Sequence, residues 1–122
     1  MIYSESLWDV SFSYIDSKLD YELYINSYIA AQDNLQALLS FFNKFPSMKG
    51  RDFYISGESY GGIYVPMLAY NVIQYNKSVP ESQKINLKGI LVGNCVADWD
   101  MIPNPQLLIL HLPIIYIVMK LE

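Results

Sequence analysis

The most constraining feature of the sequence is the stretch over residues 52–62, where a short apolar run leads into the pattern Gly-x-Ser-x-Gly. Residues 53–55 are apolar or aromatic and predict a strand, and the apolar positions after the motif fall at helical spacing. A serine on a tight turn from strand to helix is called a nucleophile elbow. The pattern therefore predicts an exposed Ser59 on this turn, with glycine required at Gly57 and Gly61 because larger side chains would clash.

A five-residue pattern of this kind also occurs by chance in ordinary turns. Here the strand before it, the helix-compatible segment after it and a further glycine at Gly62 favour the elbow. A helix that begins just after Ser59 would also present backbone N–H groups that can stabilise an oxyanion.

The flanking segments predict an α/β fold. Residues 28–45 carry Leu and Phe at i, i+3, i+4 and i+7, which predicts an amphipathic helix that ends before Pro46. The helix after the elbow is expected to begin near residues 62–64, so that Pro66 lies in its first turn. Residues 85–93 include consecutive apolar positions, which are typical of a strand buried on both faces. This succession predicts a partial α/β-hydrolase sheet, with parallel strands, flanking helices and the strand–elbow–helix unit at residues 52–75.

The two ends of the chain are interpreted separately. Residues 1–14 predict a strand entry and turn, and residues 15–27 a polar surface connection. We expect one partial domain over residues 1–100 and a divergent apolar tail over residues 101–122. The tail holds three prolines, and its apolar run is too short and interrupted to span a membrane. It is interpreted as a disordered or poorly packed segment, with a buried strand in a larger protein as the alternative.

Composition excludes several classes of function. With 52% hydrophobic and 16% charged residues, the chain is not of the disordered class. Its net charge of −4 and the absence of a large basic cluster argue against nucleic-acid binding. Cys95 and His111 are the single cysteine and histidine, so the sequence predicts no internal disulfide, no metal site and no cofactor.

Two further observations concern secretion. The first residues lack the charged start and apolar run of a signal peptide. Asn76-Lys77-Ser78 matches the sequon for N-glycosylation, which is relevant only if the chain is secreted.

Four stretches of the sequence resemble the serine carboxypeptidases, α/β hydrolases that remove C-terminal residues from peptides. The most specific is residues 53–66, because lipases and esterases share Gly-x-Ser-x-Gly but rarely the Glu58, Tyr60 and Tyr-Val-Pro context. The others, in the order of that family, are residues 5–14, 33–46 and 85–94.

The resemblance implies a role for each residue of the elbow. Ser59 matches the nucleophile, and the backbone N–H of Tyr60 matches one half of the oxyanion hole. Glu58 matches a glutamate that holds the terminal carboxylate of the substrate, although it could instead be a solvated loop carboxylate. The implied substrates are peptide or protein C-termini, and the implied location is lysosomal, vacuolar or secreted.

The sequence also departs from the family pattern. The catalytic aspartate and histidine of the family lie further downstream than this chain extends, and the upstream glycine-rich segment is missing. His111 follows the elbow too closely to match, so it is interpreted as a core or loop histidine. Leu7-Trp8-Asp9 replaces a Pro-Ala-Gly-like turn, and Cys95 stands where glycine is usual. The expected function is a serine-type carboxypeptidase present as an incomplete chain, inactive alone; the alternatives are a catalytically dead remnant or an acyltransferase fragment.

Overall fold

The computed structural model describes residues 1–4 and 27–95, together with the backbone of residues 116–120. The predicted strand entry beyond Ser4, the polar connection up to residue 26, His111 and the tail apart from residues 116–120 lie outside the described residues. The regular elements are α1 (Ser27–Lys44), β1 (Phe53–Glu58), α2 (Gly61–Ser78), β2 (Leu87–Gly93) and β3 (Tyr116–Lys120), with short 3-10 turns at Pro46–Met48 and Glu81–Gln83.

The first helix confirms the prediction made from its apolar spacing. Its buried side includes Phe42, which is 3% exposed and contacts the ring of Phe53 on β1 edge to face at 5.6 Å between centroids. The regular helix ends at Lys44, and Pro46 begins a 3-10 turn, as expected for a residue that cannot extend a helix.

The second helix begins slightly earlier than predicted. It starts at Gly61, so Pro66 lies in the second turn and not in the first. Its first turn is closed by short-range bonds, with the N–H of Gly62 donating to Ser59 O at 3.1 Å and that of Ile63 donating to Tyr60 O at 3.0 Å. These bonds begin the helix directly at the elbow.

The sheet has the order β1-β2-β3. β1 and β2 are parallel and joined through α2, which confirms the predicted α/β unit. β3 lies in the C-terminal tail and runs antiparallel to β2. Residues 116–120 therefore form a strand, as in the alternative interpretation of the tail, and the expectation of disorder is wrong for them. Apolar periodicity carries no information about strand direction, which depends on the route by which the chain returns to the sheet.

α2 packs on one face of the β1–β2 pair, whereas α1 packs mainly on α2 and reaches β1 through Phe42. Along β1, Ile55 is buried at 8% exposure, whereas its neighbour Tyr54 on the other face is 52% exposed. The buried core joins both helices to this face of the strands and consists of Phe42, Ile55, Val65, Ala69, Val72, Ile85, Ile90 and Val92. This packing positions the N-terminus of α2 beside the carboxyl ends of β1 and β2.

Candidate active site

Ser59 lies on the two-residue turn between β1 and α2, as the motif predicts. It is exposed and has a φ of 55°, one of two positive φ values among the non-glycine residues that the structure describes. This left-handed conformation costs an L-residue with a Cβ roughly 1–2 kcal/mol. A strained, exposed serine between strand and helix is the geometry of a nucleophile elbow.

Close packing explains the glycine at position 57. A Cβ on Gly57 would lie 2.8 Å from Cγ2 of Val65 and 3.2 Å from Cα of Gly61. A Cβ on Gly61 would meet only Cγ2 of Val65, at an ordinary distance of 4.0 Å. Steric exclusion of a side chain therefore accounts for Gly57. The predicted clash at Gly61 is wrong, because this residue instead contributes the backbone against which Gly57 packs.

The elbow is attached to the carboxyl end of β2. Glu58 is opposite Gly93 in the parallel register, and the N–H of Ser59 donates to Gly93 O at 3.2 Å. The next residue, Asn94, is exposed and has the second positive φ, 43°. The motif did not single out Gly93 or Asn94 as neighbours of the serine. The signal that could have done so is the strand pair itself, because parallel strands end at the same edge of a sheet.

Tyr60 is the N-cap of α2, with φ −64° and ψ −11° and no side-chain cap. Its position next to Ser59 puts the start of the helix, where the macrodipole is positive, beside the serine. The rings of Tyr60 and Tyr64 pack edge to face, with 4.9 Å between their centroids. Burial, with a smaller contribution from the neighbouring Tyr60, raises the pKa of Tyr64 above its ordinary value.

Glu58 is the last residue of β1 and is exposed. By strand alternation it lies on the face opposite Ile55. A cavity of about 860 Å³ extends along β1 from Asp52 to the elbow and is also lined by Phe41 of α1. Glu58, Ser59 and Tyr60 all line this cavity, so the structure brings the three predicted site residues to one surface.

Histidine is the residue that most often serves as the base for a serine nucleophile. Residues 1–4 and 27–95 contain no histidine, since His111 is the only one in the sequence. No group of three or more His, Cys, Asp or Glu residues within the described segments could hold a metal ion. Nor does any helix among those segments have the length and apolar character needed to cross a membrane.

Comparison with known proteins supplies the family. The sequence profile of the family described as serine carboxypeptidase matches residues 1–104. The chain belongs to the serine carboxypeptidase family. This confirms the resemblance on which the roles of the elbow residues were predicted, while those roles themselves remain predictions.

Individual relatives of this serine carboxypeptidase chain are similar over most of its length. Serine carboxypeptidase-like 35 of Arabidopsis thaliana is 42% identical over 96 residues, which are 79% of this chain and 20% of that protein. Serine carboxypeptidase 24 of the same plant is 45% identical over 98 residues, covering 80% of this chain and 21% of its own length. The chain therefore spans about a fifth of the length of these relatives.

A solved structure is similar in fold. The prohormone-processing carboxypeptidase Kex1(Δ)p from Saccharomyces cerevisiae superposes with a TM-score of 0.56 and 30% identity. The superposition covers 58% of this chain and 15% of that chain. It supports the assignment of the described segments to a partial α/β-hydrolase fold.

Proposed function

We propose that this chain carries the nucleophile segment of a serine-type carboxypeptidase. The observation that supports this most directly is the conformation of Ser59, which is exposed at φ 55° on the strand-to-helix turn. A backbone of this kind is costly, and such strain is concentrated at functional sites.

The proposed reaction is acyl transfer through the serine. The Oγ of Ser59 attacks the carbonyl carbon of the last peptide bond and transfers its proton to a base. The C–N bond then breaks, and the C-terminal amino acid leaves with a proton on its nitrogen. Water attacks the resulting ester, which releases the shortened peptide and returns the proton to Ser59.

The oxyanion that forms in both steps requires donors that are already in place. We assign one donor to the backbone N–H of Tyr60, at the N-cap of α2. The positive end of the helix macrodipole adds to the stabilisation of negative charge there. The bond from the N–H of Ser59 to Gly93 O and the close contact at Gly57 both restrain the turn on which these groups lie.

Glu58 is proposed to bind the terminal carboxylate of the peptide. It precedes the nucleophile and lines the same cavity, so a bound carboxylate near it would lie one residue from the scissile bond. We propose a lysosomal, vacuolar or secreted setting from the family.

A catalytically dead remnant is the second candidate. It is favoured by the absence of histidine from the described residues, because an unassisted serine hydroxyl is a poor nucleophile. The two candidates differ in whether catalytic partners for Ser59 exist. An active enzyme needs a histidine and an aspartate from additional sequence, whereas a remnant has neither.

Labelling with a fluorophosphonate probe tests both candidates. The folded 122-residue chain should label no more than its Ser59→Ala variant, and it should not hydrolyse a blocked dipeptide. If the transcript extends to encode the missing histidine and aspartate, the extended protein should label at Ser59 and remove C-terminal residues. An extended protein that folds but does not label would contradict the proposed function, and turnover by the 122-residue chain would contradict its inactivity.

The extended protein also allows a test of Glu58 with two matched variants. Glu58→Gln keeps a side-chain hydrogen-bond donor at this position, so peptide binding should persist. Glu58→Ala removes the donor and should raise KM for peptides with a free carboxylate much more than for their amides. Equal effects on acid and amide substrates would show that Glu58 is a solvated carboxylate.

A further inference from the structure

One sequence motif has no part in the proposed function: the sequon Asn76-Lys77-Ser78. It lies in the last turn of α2, which ends at Ser78. Sequence alone presents Asn76 as an acceptor for an N-linked glycan. In the structure, the side chain of Asn76 is instead hydrogen-bonded to backbone groups.

The amide group of Asn76 is bound to both backbone groups of a single residue. Its Nδ2 donates to Ile85 O at 2.8 Å, and its Oδ1 accepts from the N–H of Ile85 at 2.9 Å. Only one orientation of the amide places a donor against the carbonyl and an acceptor against the N–H. The pair of bonds therefore closes a ring between the end of α2 and the segment that leads into β2.

Loss of the hydrogen bonds between Asn76 and Ile85 would be costly in stability, because Ile85 is buried. Its side chain is 1% exposed and belongs to the buried core, two residues before β2 begins. Its carbonyl also accepts from the N–H of Leu87 at 2.8 Å, but Asn76 is the acceptor that the structure gives to its own N–H. A buried N–H without an acceptor is destabilising.

A glycan on Asn76 would replace the hydrogen that this ring uses. Both bonds point to the same residue, so the hydrogen of Nδ2 that donates is the one on the same side as Oδ1. A substituted amide prefers the trans form, in which the substituent carbon takes that side and the remaining hydrogen points away from the oxygen. The first sugar carbon would then lie where Ile85 O is now.

We propose that Asn76 is a structural clamp between α2 and β2 and that the native fold excludes a glycan at this sequon. The third residue of the sequon is consistent with this, because Ser78 Oγ donates to Tyr75 O at 2.8 Å within the helix end. The proposal concerns the fold alone and is independent of the proposed peptidase activity.

The modification is tested by directing the full chain through the secretory pathway of a glycosylating host. Pro80→Asn provides the internal control, since it makes residues 80–82 a second sequon in a segment that is exposed at all three positions. In the protease-resistant, monodisperse fraction, mass spectrometry should find a glycan at position 80 and an unmodified Asn76. Glycan on Asn76 in this native fraction, at an occupancy similar to that of position 80, would overturn the proposal.

The clamp is tested separately on chain made without glycosylation, by urea unfolding. Ser78→Ala destroys the sequon but keeps the clamp, so its stability should be close to that of the parent. Asn76→Ala removes both bonds to Ile85 and should lower the folding equilibrium constant about five- to a hundredfold, the range expected for a buried donor left without an acceptor. Asn76→Asp keeps an acceptor for the N–H but sets a carboxylate against Ile85 O, so it should recover stability as the pH falls and the carboxylate is protonated. Equal stability of Asn76→Ala and Ser78→Ala would show that there is no clamp.

Discussion

The close packing around Gly57 predicts that adding a side chain at this position destabilises the elbow. In Gly57→Ala, the new methyl group would lie 2.8 Å from Cγ2 of Val65, about 0.7 Å closer than the roughly 3.5 Å at which two carbons make a favourable contact. It would also lie 3.2 Å from the backbone Cα of Gly61.

The surrounding groups have little freedom to yield. Val65 is 5% exposed and is β-branched, which restricts its χ1 angle within a helix. Relief therefore requires the end of β1 and the start of α2 to separate. Overpacking of this kind costs about 1–3 kcal/mol, so we expect Gly57→Ala to lower the free energy of unfolding by that amount.

Gly50→Ala is the matched control. A Cβ on Gly50 would meet nothing within 4 Å, and its φ is not positive. This variant should therefore be neutral or more stable by about 0.4–1 kcal/mol, because alanine restricts the unfolded chain. Urea unfolding followed by far-UV circular dichroism measures both variants, and the slope against urea should stay the same.

A double-mutant cycle identifies the contact that causes the loss. Val65→Ala removes Cγ2, so adding Gly57→Ala to that variant should cost less than half of what it costs in the parent chain. The remaining cost reflects the approach to Gly61. If Gly57→Ala proves as stable as Gly50→Ala, close packing is not the reason for glycine at position 57.

Two further predictions concern the serine and its aromatic neighbour. Ser59→Gly should be more stable than Ser59→Ala by about 1 kcal/mol in urea unfolding, because alanine keeps the Cβ that is strained at φ 55°; equal stability would show that the turn relaxes. Because the pKa of Tyr64 is raised in the folded state, its contribution to the free energy of unfolding depends on pH. That contribution is fully present below the ordinary pKa of 10.0 and is lost as the pH rises through the folded-state pKa. Tyr64→Phe should therefore lose less stability than the parent chain as the pH rises above 10.0, and parallel pH curves would contradict this assignment.

The features that were predictable from the sequence are local ones. The helix predicted over residues 28–45 is observed at Ser27–Lys44, and the strand predicted over residues 85–93 is observed at Leu87–Gly93. The elbow was predictable for the same reason, since a strand, a strained serine and a closely packed glycine occupy one short stretch. The exact start of α2 was less predictable, because the bonds to Ser59 O and Tyr60 O begin the helix earlier than Pro66 suggested.

Tertiary structure decided the features that join distant segments. The bond between the N–H of Ser59 and Gly93 O, and the clamp between Asn76 and Ile85, depend on which surfaces of helix and strand meet. The direction of β3 beside β2 is of the same kind.

The sequence by itself therefore determined that this chain has an elbow and which helices and strands flank it, because each of these is encoded in spacing over a few residues. The resemblance of four short stretches indicated the family, which the family profile confirmed. The sequence did not determine which hydrogen bond restrains the elbow, or that the side chain of Asn76 in the sequon is hydrogen-bonded to the backbone of Ile85. Those properties arise only when separate helices and strands are packed together, since a buried N–H or C=O pairs with whichever group the packing of the core puts beside it.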